Sequence, residues 1–146
     1  MNRDLISFEA LISAAAQQYG YTPYYCSSPS LLPKVQSMPV VVIYPSEVKE
    51  KEGVVRCRIT TDMEFLVVKT GVSLSQEDKM QTLSAMRLDI LKMLNAVEMC
   101  VNVVNVTDLA IEVDDSPLMH TDDLQLRATV SVVSNFTHSA WMEDGE

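Results

Sequence analysis

The side chains best equipped for chemistry fall in one short stretch. Asp114, Asp115, Asp122 and Asp123 set four carboxylates around the imidazole of His120, and oxygen ligands with one ring nitrogen form a donor set suited to a hard divalent cation. A helix-loop-helix calcium loop would need a central glycine and a terminal glutamate, and this stretch has neither. Asp114-Asp115-Ser116-Pro117 is also ordinary turn chemistry. The stretch therefore reads as a solvated loop between strands, with these five residues as weak metal candidates and a small metal-dependent hydrolase as one alternative reading.

Nucleophilic chemistry has few other candidates. The three cysteines, Cys26, Cys57 and Cys100, are odd in number and widely spaced, which matches neither a disulfide framework nor a zinc pattern. They are expected to be reduced and mostly buried, the usual state of a structural thiol. The two histidines, His120 and His138, fall in an expected loop and an expected tail. No Gly-x-Ser-x-Gly elbow, phosphate loop or dinucleotide fingerprint is present. The expectation is a protein that is not an enzyme and needs no cofactor or metal.

The chain is 47% hydrophobic and 21% charged over 146 residues, the composition of an ordinary globular domain. Twenty acidic against 11 basic residues give a formal net charge of −9. Such a field repels phosphate backbones and anionic lipid, so neither nucleic-acid nor membrane binding is expected. The longest apolar run, Pro39-Val40-Val41-Val42-Ile43-Tyr44, is far below the roughly 20 residues of a membrane-spanning helix. No continuous apolar run near the first residues resembles a signal peptide.

The elements that must position any site are legible from periodicity. Leu5, Phe8, Ile12, Ala15, Ala16 and Tyr19 recur at steps of three and four, which predicts a helix capped by Asn2 and ended by Gly20. Residues 21–39 carry four prolines and a Ser27-Ser28 pair, and read as a long irregular loop. Residues 40–44 form a compact apolar strand, and residues 47–53 a charged turn. Over residues 54–68 apolar and polar side chains alternate. At about 3.3 Å per residue this strand would reach roughly 50 Å, so it should bend or project from the domain. Ser75-Gln76-Glu77-Asp78 opens a second helix running to about Glu98. Its buried stripe is Leu83, Met86, Ile90, Met93, Leu94 and Val97, with Met80 at the start; Met80, Met86, Met93 and Met99, in or just past the helix, could form an adaptable binding groove but read as core filler. Residues 101–106 and 109–113 read as a strand pair or one interrupted strand, and residues 124–136 as the closing strand.

Together these predict a single α+β domain over 1–146, with a mainly antiparallel sheet, two helices packed on it, one long protruding strand or hairpin, and a tail at 138–146. This order resembles the tail-terminator and tail-completion proteins of long-tailed bacteriophages. The features that carry the resemblance are the amphipathic first helix, the strand at Pro39-Val40-Val41-Val42-Ile43-Tyr44, the long alternating strand from Val54, the helix opened by Ser75-Gln76-Glu77-Asp78, and the late strand Leu124-Gln125-Leu126-Arg127-Ala128-Thr129-Val130-Ser131-Val132. The resemblance implies a structural protein of the virion, assembled in the host bacterial cytoplasm. Its subunits would form a homo-oligomeric ring that caps the tail tube and meets other tail or head-tail connector proteins, without catalytic residues.

Binding would then come from sheet edges and aromatic anchors. The expected interface residues are Tyr21, Tyr24, Tyr25, Leu31 and Leu32 in the loop, with Arg56, Arg58, Asp62 and Glu64 on the long strand. An acidic dimeric chaperone or adaptor that binds a client segment on its sheet is the alternative.

Overall fold

The computed structural model describes residues 7–28, 38–53, 56–114 and 123–137. Its elements run α1 (Phe8–Gln18), β1 (Thr22–Tyr25), β2 (Val40–Ile43), β3 (Glu47–Glu52), β4 (Arg56–Lys69), α2 (Gln76–Glu98), β5 (Val103–Val113) and β6 (Leu124–Thr137). The fold is α+β, as expected: two helices and a six-stranded, mostly antiparallel sheet with the path β1-β2-β4-β6-β5 and β3 paired to β4 off that path.

Local chemistry sets the helix ends. The Ser7 hydroxyl accepts the Ala10 N–H at 3.1 Å, so α1 begins at Phe8, later than an Asn2 cap would place it. At its other end the Tyr21 N–H donates to the Ala16 carbonyl at 2.9 Å and the Gly20 N–H to the Gln17 carbonyl at 3.2 Å. This is the paired bonding of a Schellman cap, and Gly20 supplies the left-handed residue it requires, at φ +87. Ser75 caps α2 through a 3.1 Å bond from the Asp78 N–H, with Glu77 and Asp78 at the positive end of the helix dipole.

Two segments differ from the sequence expectation. The first residues of the proline-rich loop form β1, which pairs parallel with β2 from Thr22↔Val40 to Tyr25↔Ile43. The charged turn at 47–53 contains β3, every residue of which is exposed. Residues 103–113 take the second of the two forms expected, one interrupted strand, with register shifts between Val103 and Asn105 and between Thr107 and Ala110. Asp108, at φ 55, sits inside the second shift.

β4 keeps an unbroken register with β6 from Arg56↔Thr137 to Lys69↔Leu124. On its other side it pairs with β2 over residues 65–68 and with β3 over residues 58–62. It is accommodated by changing partner, and the one register shift on that side, between Val48 and Glu50, falls in β3. Ile12, Ala16, Val41, Phe65, Met86, Ile90, Met93, Leu126 and Ala128 lie in one cluster between the helices and one sheet face. Cys57 and Ile59, in the β3-paired half of β4, are buried as well. A second cluster, Cys26, Val40, Val42, Tyr44, Leu66 and Val68, lies on the opposite face, which is why β2 is apolar at every position.

Candidate functional site

Two surfaces stand out, one polar and one apolar. The polar one lies on the sheet face opposite the helices and is organised by Arg127 in β6. Strand alternation puts Gln125, Arg127, Thr129 and Ser131 on this face, where they meet the even-numbered residues of β4. The Arg127 guanidinium donates through Nη1 to Glu64 Oε2, and through Nη2 and Nε to Asp114 Oδ2 at 2.7 and 3.0 Å. It also lies 5.5 Å from the centroid of the Tyr44 ring. Ser131 donates to Asp62 at 2.8 Å. Beside this network is an open concavity of about 550 Å³, lined in part by Tyr44, Glu47, Asp62, Glu64, Asp108 and Ser131.

The electrostatics follow from these partners. Partial burial works against the Arg127 charge, but the bonds to Asp114 and Glu64 outweigh it and hold the guanidinium firmly protonated. Burial pushes the Tyr44 hydroxyl up, and the Arg127 charge offsets part of that shift. Two carboxylates on one cation leave the network with one net negative charge, fixed in position by charge-assisted bonds. The raised Tyr44 hydroxyl stays protonated, and the bonds around Arg127 hold these side chains in place.

The expected site residues are scattered over the fold. Tyr21 is buried, with its hydroxyl donating to Asp89 at 2.7 Å. Tyr24 packs on the second cluster, and Tyr25 is exposed. Leu31 and Leu32 lie outside the described residues. On β4, Arg58 is exposed opposite Glu52, Asp62 and Glu64 belong to the polar face, and Arg56 is described only in its backbone pairing with Thr137. Of the metal candidates, Asp114 serves Arg127, Asp123 immediately precedes β6, and Asp115, His120 and Asp122 lie outside the described residues. Among the described residues no three His, Cys, Asp or Glu side chains come together as a metal site. Among them, too, no helix is long and apolar enough to cross a membrane.

The apolar surface lies on α2, whose methionines are expected from the sequence in the core rather than in a binding groove. Met86 and Met93 are buried among the core residues, but Met80 and Met99 are 69% and 75% exposed, which corrects their reading as core. Leu88 and Leu91 are 52% and 49% exposed between them. At about 100° per residue these four positions, with Ser84 and Asn95, fall within an arc of about 100°. That arc is turned away from the Leu83, Met86, Ile90, Met93, Leu94 and Val97 face that meets the sheet and α1. Val101, just past the helix, is 97% exposed. The sequence carries it as a second set of three- and four-residue steps, in which Leu88 and Leu91 join Met80 and Met99 beside the stronger buried stripe.

No family model matches the chain, and no curated protein matches its sequence. Among solved structures the chain is similar to the core region of PilO from the type IV pilus system of Pseudomonas aeruginosa. The identity is 10% and the TM-score 0.39, over 67% of this chain and 79% of that one. That neighbour belongs to a pilus system and is not a phage tail protein. The resemblance to tail-terminator and tail-completion proteins is corrected accordingly, and with it the assignment to a virion ring and to phage tail or connector partners. The features behind it, an amphipathic helix, alternating strands and a capped second helix, meet the physical demands of any two-layer α+β domain.

Proposed function

We propose that this domain acts by binding protein rather than by catalysis, and that its contact surface is the outward face of α2. The observation that supports this reading is the row of exposed apolar side chains, Met80, Leu88, Leu91 and Met99, on a helix whose other face is already committed to the core. Single exposed leucines are ordinary, but apolar residues aligned on one helix face are the pattern by which helices dock on partners. Methionine adds side chains that adapt to the shape opposite them.

Selection of displayed amphipathic helical segments against the immobilised protein tests this. Enriched binders should lose their hold on the Leu88→Glu/Leu91→Glu double variant. If no segment is enriched, or if binders ignore the substitution, the reading fails.

A further inference from the structure

The exposed row on α2 reads the same in both directions. Its positions are Met80, Ser84, Leu88, Leu91, Asn95 and Met99, all exposed, with steps of four, four, three, four and four. A two-fold axis perpendicular to the helix between Leu88 and Leu91 would set Met80 against Met99 of a second copy, Ser84 against its Asn95, and Leu88 against its Leu91. Methionine meets methionine, small polar meets small polar, and leucine meets leucine. A surface that is its own complement under a two-fold rotation is what an isologous dimer requires.

From this symmetry we infer that the occupant of the α2 face is a second copy of this chain, its α2 lying antiparallel to the first. The inference rests on the protein-binding reading above and names the partner.

The relief of the helix fits this arrangement. Glu77, Met80, Gln81 and Ser84 line a shallow depression, and their spacing of i, i+3, i+4 and i+7 is that of a hole in knobs-into-holes packing. The two-fold places Met99 of the second copy over that hole. It also places Leu91 of the second copy over Ser84, Arg87, Leu88 and Leu91, and Leu88 of the second copy over Leu88, Leu91, Lys92 and Asn95. Four leucines thus surround the axis, with a methionine pair closing each end. The polar Ser84 and Asn95 penalise a sliding of register that would put leucine against them, so they define the alignment.

The interface is small. The row spans about 28 Å, and at a width of about 10 Å each helix contributes roughly 300 Å², well under the ~800 Å² per partner of a standard stable interface. Each chain also carries a formal charge of −9, which opposes association at low salt. The dimer is therefore concentration-dependent, and it tightens as salt rises.

The test combines sedimentation with thiol cross-linking, both in a Cys100→Ser background. Sedimentation should show a monomer–dimer equilibrium that is tighter in high salt, and Leu88→Glu should weaken it at least tenfold while circular dichroism stays unchanged. For cross-linking, Met80→Cys and Met99→Cys variants are oxidised singly and as a mixture. The antiparallel arrangement predicts a disulfide-linked pair only in the mixture, because like positions lie about 28 Å apart along the axis. Pairs formed by either variant alone would overturn the antiparallel dimer and leave the protein-binding reading intact. So would a monomer at every concentration alongside helical segments that still bind the face. A monomer that also captures no helical segment overturns both.

Discussion

The Tyr21 hydroxyl donates to Asp89 Oδ2 at 2.7 Å, joining residues 68 positions apart. The bond ties the start of β1 to the middle of α2, where Lys69 also stands 5.3 Å over the Tyr21 ring. Tyr21 is 2% exposed, and burial, followed by the bond to Asp89, pushes its hydroxyl far above the ordinary tyrosine range. It stays protonated and donating at every pH the fold survives. Tyr21→Phe keeps the ring and removes the donor, and should cost about 1–2 kcal/mol in urea unfolding. Adding Asp89→Asn should cost less than the sum of the two single changes, as expected for groups that act on each other.

Arg127 is held by Glu64 and Asp114 together. Arg127→Met leaves the two carboxylates facing each other without their cation, and should destabilise by about 1–2 kcal/mol, a figure moderated by the solvent that reaches all three groups. Arg127→Lys should recover only part of this, because an ammonium cannot reproduce the fork that addresses both acids. Chemical denaturation of the three proteins checks the order.

Glu9 provides the pH dependence. Burial alone would raise its carboxyl pKa, but bonds from the Ser46 N–H, its own N–H and the Ser46 hydroxyl more than compensate and hold it below the ordinary value of 4.5. The Ser46 bonds are 2.9 and 2.8 Å long. A lowered folded pKa means that the carboxylate's stabilising effect is complete above pH 4.5 and is lost as the pH falls through the folded value. Ser46→Ala should reduce stability at pH 7 by a few tenths of a kcal/mol, given the screening at this half-buried site. It should also flatten the fall in stability below about pH 5, as read from thermal melts across that range.

Two cap substitutions separate backbone from side-chain effects. Gly20→Ala meets no atom within 4 Å of the added carbon, so its cost of about 1 kcal/mol comes from the left-handed backbone alone. Ser75→Ala should cost about as much by removing the acceptor for the Asp78 N–H. Unfolding titrations of each, with the double variant additive to within about 0.5 kcal/mol, test both assignments.

Much of the fold was legible because it is set by neighbours close in sequence. The Ser75 cap, the Gly20 stop and the alternation along β4 are decided within a turn or a few residues. The α+β class followed from them. β1 was hidden because it pairs parallel with β2 across the proline-rich segment, and no short-range pattern announces a parallel partner. β3 was hidden because every residue of Glu47–Glu52 except Val48 is charged and all are exposed; it is a strand only because β4 offers it an edge.

The candidate site divides in the same way. The chain by itself determined which residues are apolar, their helical spacing on α2 and the acidic charge of the whole. Only the tertiary structure decided which methionines face the core and which face solvent. A helix has room for two apolar stripes, and the packed sheet and α1 cover only one of them. It also decided that Glu64 and Asp114, 50 positions apart, share the guanidinium of Arg127. Their meeting depends on the register of β4 and β5 against β6, which is a property of the assembled sheet.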